Sequence, residues 1–260
     1  MTLLEHDRYC DEIITQTAEL RTVLSGADLS AKVPSCPEWT LEELARHVGG
    51  AHRWVETTVR TRATEMVPQD QVPDSRGPEG ADAATLAAWL ADGAEKLAAT
   101  LRAAGPDTEV WTWAWDRTSG FWSRRMTHET LIHRADAALA ARVPYEATPE
   151  IAADAIDEWL QIVAFVQSVG ADKEVAELRG AGRSIHLHAG DAPGAEWLIE
   201  FGEDGFTWRR AHEKATVALR GPLTDVLQVF YRRLPADSER VEVLGDAALL
   251  DFWLERATFG

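Results

Sequence analysis

The chain has 260 residues, enough for one large or two modest domains, and at 45% hydrophobic it can build a substantial core. Its formal net charge of -17 repels phosphate backbones and anionic bilayers, so neither nucleic acid nor a membrane is an expected partner. Two cysteines without CxxC spacing (Cys10 and Cys36), an acidic start in MTLLEHDRYCDEII and no long apolar run together fit a reduced, cytoplasmic protein.

The first two thirds of the chain read as helices. Ile13, Leu20 and Leu24 are spaced for one buried face of a helix between Leu3 and Leu24. Gly26, Pro34 and Pro37 break it. Thr40 and Glu43 then form a capping box that opens a second helix, LEELARHVGGAHRWVETTVRT, with Leu44, Val48, Ala51 and Val55 on one side. After the acidic loop VPQDQVPDSRGPEG, an alanine-rich third helix runs to Gly105, a C-terminal glycine stop. A tryptophan-dense connection leads into a fourth helix from Ser123 to Arg142. Thr148 and Pro149 cap and start a fifth, which reaches about Val169. Beyond Gly170 the texture changes to short alternating runs, SIHLH, AEWLIEF, FTWRR, ATVALR and VEVL, with two short helices among them. The expected fold is α+β, with a helical bundle over residues 1–170 and a small mixed α/β sheet domain over 171–260.

The segment RRMTHETLIHRADAALAAR carries the most chemistry. On a helix Glu129 and His133 are one turn apart on one face, and Asp136 follows on that face, whereas His128 points away. An ExxxH pair supplies two ligands of the kind zinc, nickel or iron accepts. By itself, such a pair in an alanine-rich helix is more often a solvated pair. Helix two offers His47 and His52, both flanking its apolar stripe, and periodicity does not choose between them. Arg46, Arg53, Arg124 and Arg125 are candidates to pair with a substrate carboxylate, or plain surface arginines. Trp111, Trp113, Trp115 and Trp122 read as packing and loop anchors rather than a wall over a site. His186 and His188 alternate on one strand, and with no third ligand near them in sequence they are expected to have an edge or surface role.

The run CPEWTLEELARHVGGAHRW, followed later by RRMTHETLIHRADAALA, resembles the mycothiol-dependent maleylpyruvate isomerase family, which belongs to the DinB-like metal-binding four-helix bundles. ATVALRGPLTDVLQVFYRRLPA and VEVLGDAALLDFWL are similar to the sterol-carrier-protein-like domain that often follows this bundle. The resemblance implies His47, Glu129 and His133 as ligands of one divalent metal, zinc by preference, and so selects His47 over His52. It also matches an Asp three residues past the histidine, Asp136, and implies mycothiol as thiol cosubstrate. From the residues themselves, Asp136 either orients His133, adds a fourth ligand or caps a neighbour, and Arg125 is the arginine taken with it as a catalytic candidate. The expected activity is cis–trans isomerisation of a small maleylpyruvate-like electrophile, or S-transfer to one. The alternative is a non-catalytic metal- or ligand-binding protein whose C-terminal domain docks a partner. The substrate, the native metal and the oligomeric state are open at this stage.

Overall fold

The computed structural model describes residues 3–258, which divide into two compact units on either side of Tyr145/Glu146. The first unit holds four long helices: α1 (His6–Ser25), α2 (Leu41–Arg60), α3 (Ala83–Ala104) and α4 (Ser119–Ala141). Helices α1 and α2 each pack against both α3 and α4, so α1 sits diagonally across the bundle from α2, and α3 from α4. Their ends follow local chemistry. Thr40 accepts from the Glu43 backbone N–H at 3.2 Å, while the Glu43 carboxylate accepts from the Thr40 N–H at 2.7 Å, which is the expected capping box. Asp82 caps α3 by accepting from Thr85 N–H at 2.8 Å, and Gly105 ends that helix at a φ of 73°. In the middle of α2 Gly49 is a packing glycine: a Cβ there would stand 2.0 Å from the Trp89 ring of α3.

A feature absent from the sequence reading joins α1 to α2. Strands β1 (Lys32–Val33) and β2 (Cys36–Thr40) form a small antiparallel hairpin that packs on α2 and α4. Val33 enters a core of Leu20, Leu24, Leu41, Leu44, Val48, Leu86 and Leu90. Helix α4 also starts earlier than expected, at Ser119, because a bridge between Glu109 and Thr118 closes the tryptophan-rich connection and releases the chain into the helix.

In the second unit, α5 (Pro149–Val169) packs with α6 (Leu223–Phe230) and with β5 of a five-stranded sheet of order β5-β4-β3-β6-β7, and α7 (Ala247–Arg256) packs on β6 of the same sheet. The strands are β3 (Arg183–Ala189), β4 (Glu196–Phe201), β5 (Phe206–Arg210), β6 (Val217–Gly221) and β7 (Glu242–Gly245). Only β3 and β6 pair in parallel. The division between the units therefore falls at Tyr145/Glu146 and not near residue 170. Helix α5 goes with the sheet because its partners are there. Trp159 lies against Tyr231 with ring centroids 5.0 Å apart, the Tyr231 hydroxyl donates to Ala155 O at 2.9 Å, and Trp197 Nε1 donates to Asp157 at 2.8 Å. Among the described residues no helix is long and apolar enough to cross a membrane.

Candidate metal centre

Glu129 and His133 lie one turn apart on α4, and His47 approaches them from α2. Glu129 Oε1 is 3.1 Å from His47 Nε2 and 3.2 Å from His133 Nε2, and the two imidazole centroids are 4.8 Å apart. These three side chains form one of two groups among the described residues whose ligand atoms all lie within 4.8 Å of one another. His52 is elsewhere. It is fully buried, with Nε2 2.8 Å from the Thr130 hydroxyl. His128 is buried against Tyr9, away from the trio.

The second turn of support comes from Asp136, which is completely buried. Its Oδ2 accepts from His133 Nδ1 at 2.8 Å, and its Oδ1 accepts from the Ser35 hydroxyl at 2.5 Å. Asp136 thus grips the ring nitrogen opposite the one that faces Glu129, and it stands outside the converging ligand group. Burial alone disfavours the charged form of His133, but its hydrogen bonds to Asp136 and Glu129 outweigh that and push its pKa up to about 9. Burial likewise opposes the charge on Glu129. The hydrogen bonds from His133 and His47 and the Arg125 guanidinium still hold its carboxyl well below the ordinary range.

The hairpin completes the site. Trp39 places its ring 4.7 Å from the His47 centroid and 6.2 Å from that of His133, so one indole borders both imidazoles. Ser35 and Trp39 were missed as site residues. The signal was present in their position just before the capping box, but Pro34 and Pro37 read only as helix breakers.

The arginines separate by role. Arg46 pairs with Glu42 and donates to the carbonyls of Arg76 and Pro78, tying down the long loop before α3. Arg53 stacks on Trp89 and pairs with Asp74 and Asp92. Neither is disposed to meet a substrate. Arg125 is nearly buried, at 5% side-chain exposure, and its Nη2 lies 3.5 Å from Glu129 Oε2. Arg124 is buried as well. The tryptophans behave as packing: Trp54, Trp111 and Trp122 meet at centroid distances of 5.3–6.2 Å, and Trp122 donates to Trp111 O.

The expectation of an isolated His186–His188 pair does not hold, because strand order and a turn bring Glu196 and His212 beside it.

Comparison with known proteins agrees with this architecture. Residues 10–138 match the family described as the mycothiol maleylpyruvate isomerase N-terminal domain, and residues 150–252 match the MDMPI C-terminal domain. Among curated proteins none is significantly similar in sequence. One similar solved structure is titled as the mycothiol-dependent maleylpyruvate isomerase. It is 19% identical with a TM-score of 0.61, over 94% of this chain and 95% of that one. A histidine-to-alanine mutant under the same title is 17% identical with a TM-score of 0.55, over the same shares of the two chains. At these identities the likeness is one of fold.

Proposed function

The chain belongs to the mycothiol-dependent maleylpyruvate isomerase family, and on that premise we propose that it is a metal- and thiol-dependent enzyme whose centre is His47, Glu129 and His133. The observation that carries the proposal is the convergence of two imidazole nitrogens on one carboxylate oxygen, at 3.1 and 3.2 Å. A divalent ion would take the place of the proton that His133 holds beside Glu129, and two imidazole nitrogens with one anionic oxygen are a fitting set for such an ion, zinc first. With three protein ligands a coordination position stays open, and an ion held there lowers the pKa of a thiol that joins it.

The chain's own residues supply the rest. Asp136 keeps the proton of His133 on Nδ1, so that Nε2 faces Glu129. Arg125 sets a fixed cation beside the ligand set, and the carboxylate of an anionic electrophile is what such a cation pairs with. Trp39 gives the site an apolar border. The thiol is a low-molecular-weight one, mycothiol by family. Its sulfur adds to one carbon of an activated double bond, leaving a single bond about which the substrate rotates. Expulsion of the sulfur then restores the double bond in the other geometry and returns the thiol. An electrophile that cannot expel the sulfur ends as the S-conjugate. Cys10 and Cys36 are not joined in a disulfide, which fits the reducing cytoplasm proposed for this chain.

Elemental analysis of alanine variants, followed by a thiol-conjugation screen over small electrophiles, tests this reading. His47→Ala, Glu129→Ala and His133→Ala are each expected to lose the bundle's ion and all turnover, with His52→Ala and His128→Ala retaining the ion. A site emptied by His52→Ala and not by His47→Ala would refute the ligand set. Full metal loading with no thiol chemistry would favour the binding-protein reading.

A further inference from the structure

We propose that the second unit holds its own divalent-metal site, built from His186, His188, Glu196 and His212 and separate from the bundle's centre. The four come together through the sheet. His186 and His188 are two residues apart on β3 and share a face, and Glu196 on β4 is the direct cross-strand partner of His188. His212 lies just past the end of β5, the strand that pairs with β4. Arg209 and Glu213 pair through both guanidinium nitrogens, at 2.7 and 2.8 Å, on either side of His212 and fix the backbone that carries it.

The geometry is that of a ligand set. Glu196 Oε2 is 3.0 Å from His186 Nε2, 2.9 Å from His188 Nδ1 and 2.5 Å from His212 Nδ1. The three imidazole centroids form a nearly equilateral triangle with sides of 5.4, 5.5 and 5.6 Å. All four ligand atoms lie within 4.8 Å of one another. Three imidazoles crowded on one carboxylate oxygen are a poor hydrogen-bond arrangement, since that oxygen offers two lone pairs. They are a good coordination shell. A tetrahedron with metal–ligand bonds of about 2.0 Å has edges of about 3.3 Å, within reach of these atoms by small side-chain rotations.

Four protein ligands fill a tetrahedral ion, so this site is closed where the bundle's three-ligand site is open. Its consequence is structural. An ion there joins β3, β4 and the connection between β5 and β6, and holds in place His212, whose side chain is otherwise 75% exposed. Nitrogen-rich ligands of this kind suit zinc ahead of magnesium or calcium.

The test uses the full-length, untagged protein, stripped with chelator and reloaded with Zn²⁺. Wild type is expected to retain two ions per chain after gel filtration, and His188→Ala/His212→Ala one. His47→Ala/His133→Ala is also expected to retain one, and Zn²⁺ should raise its melting temperature unless His188 and His212 are replaced too. His212→Ala alone changes only an exposed residue outside any strand and leaves three ligands, so it should weaken zinc retention at this site without threatening the fold. The proposal is overturned if wild type and His188→Ala/His212→Ala bind the same number of ions. If the His188 and His212 changes remove an ion and the bundle changes remove none, this site stands and the bundle reading falls.

Discussion

Asp136 accepts a hydrogen bond from Nδ1 of His133 at 2.8 Å, one turn of helix beyond the Glu129–His133 pair. A carboxylate can only accept, so this contact fixes the proton on Nδ1 and leaves Nε2 to face Glu129 and His47. The Ser35 hydroxyl holds the other Asp136 oxygen and so ties the arrangement to the hairpin.

Asp136→Asn preserves shape and removes that constraint. The amide can present its N–H to Nδ1, which moves the ring proton to Nε2 and takes away a ligand lone pair. Metal affinity of the bundle site is expected to fall about 10- to 100-fold, with helical content unchanged. Titration against a competing chelator measures it. An unchanged affinity would mean that Asp136 merely fills space.

Much of this site was legible because helix periodicity is rigid. Glu129, His133 and Asp136 share a face at spacings that no tertiary contact can alter. Thr40 with Glu43 and Thr148 with Pro149 marked helix starts, since capping depends on neighbours in sequence. The choice between His47 and His52 was not legible from spacing. Both flank the apolar stripe, and what separates them is the neighbour each meets, Glu129 for one and Thr130 for the other. The allegiance of α5 was hidden for the same reason: Trp159 needs burial, but its sequence does not name Tyr231 as the partner. Glu196 and His212 join His186 only through the order β5-β4-β3, a long-range property of the sheet.

His52 makes acid stability a test of the bundle's packing. Thr130 donates its hydroxyl proton to Met126 O, so it accepts from Nε2–H of a neutral His52, whose Nδ1 is buried with no hydrogen-bond partner. Burial pushes the pKa of this ring down to about 4 from an ordinary 6.5. Above the ordinary value the ring is neutral in both folded and unfolded chains and contributes no pH dependence. As pH falls below it, the unfolded chain takes up a proton that the folded chain refuses. Stability is therefore lost progressively until the folded-state value is reached, by about 3 kcal/mol in all. Urea melts from neutral pH down to about pH 4.5 should show His52→Gln losing this part of the slope. Parallel slopes for variant and wild type would contradict the assignment.

Because α5 packs within the second unit, the two obvious truncations should behave differently. A fragment ending at Tyr145 retains α1 to α4 and is expected to fold cooperatively and bind one ion. A fragment ending at Gly170 carries α5 without its partners and exposes Ile156, Trp159, Leu160 and Val163, all buried in the whole chain. It should bind a hydrophobic dye and self-associate. Calorimetry and gel filtration on the two fragments decide the matter. An unfolded 1–145 fragment beside a well-behaved 1–170 fragment would return α5 to the bundle.

The source of the nucleophilic thiol is the sharpest test of mechanism. Cys10 is fully buried, and burial pushes its thiol pKa up to about 11, so at neutral pH it holds almost no thiolate. Cys36 is half-buried in the hairpin and packs against the Leu20–Leu44 core, outside the converging His47–Glu129–His133 group. Neither is placed to serve as the nucleophile. Cys10→Ser and Cys36→Ser are therefore expected to keep nearly full turnover, while omission of an added low-molecular-weight thiol abolishes it. Alkylation of Cys10 in the folded protein should be slow. The rate should rise with pH through a step well below the unperturbed thiol value of about 8.5, because ionisation of the cosubstrate is assisted at the site. In His133→Ala that step should vanish along with the activity. Turnover that proceeds equally well with no added thiol would sink the thiol-dependent reading, and hydrolysis by an activated water would take its place.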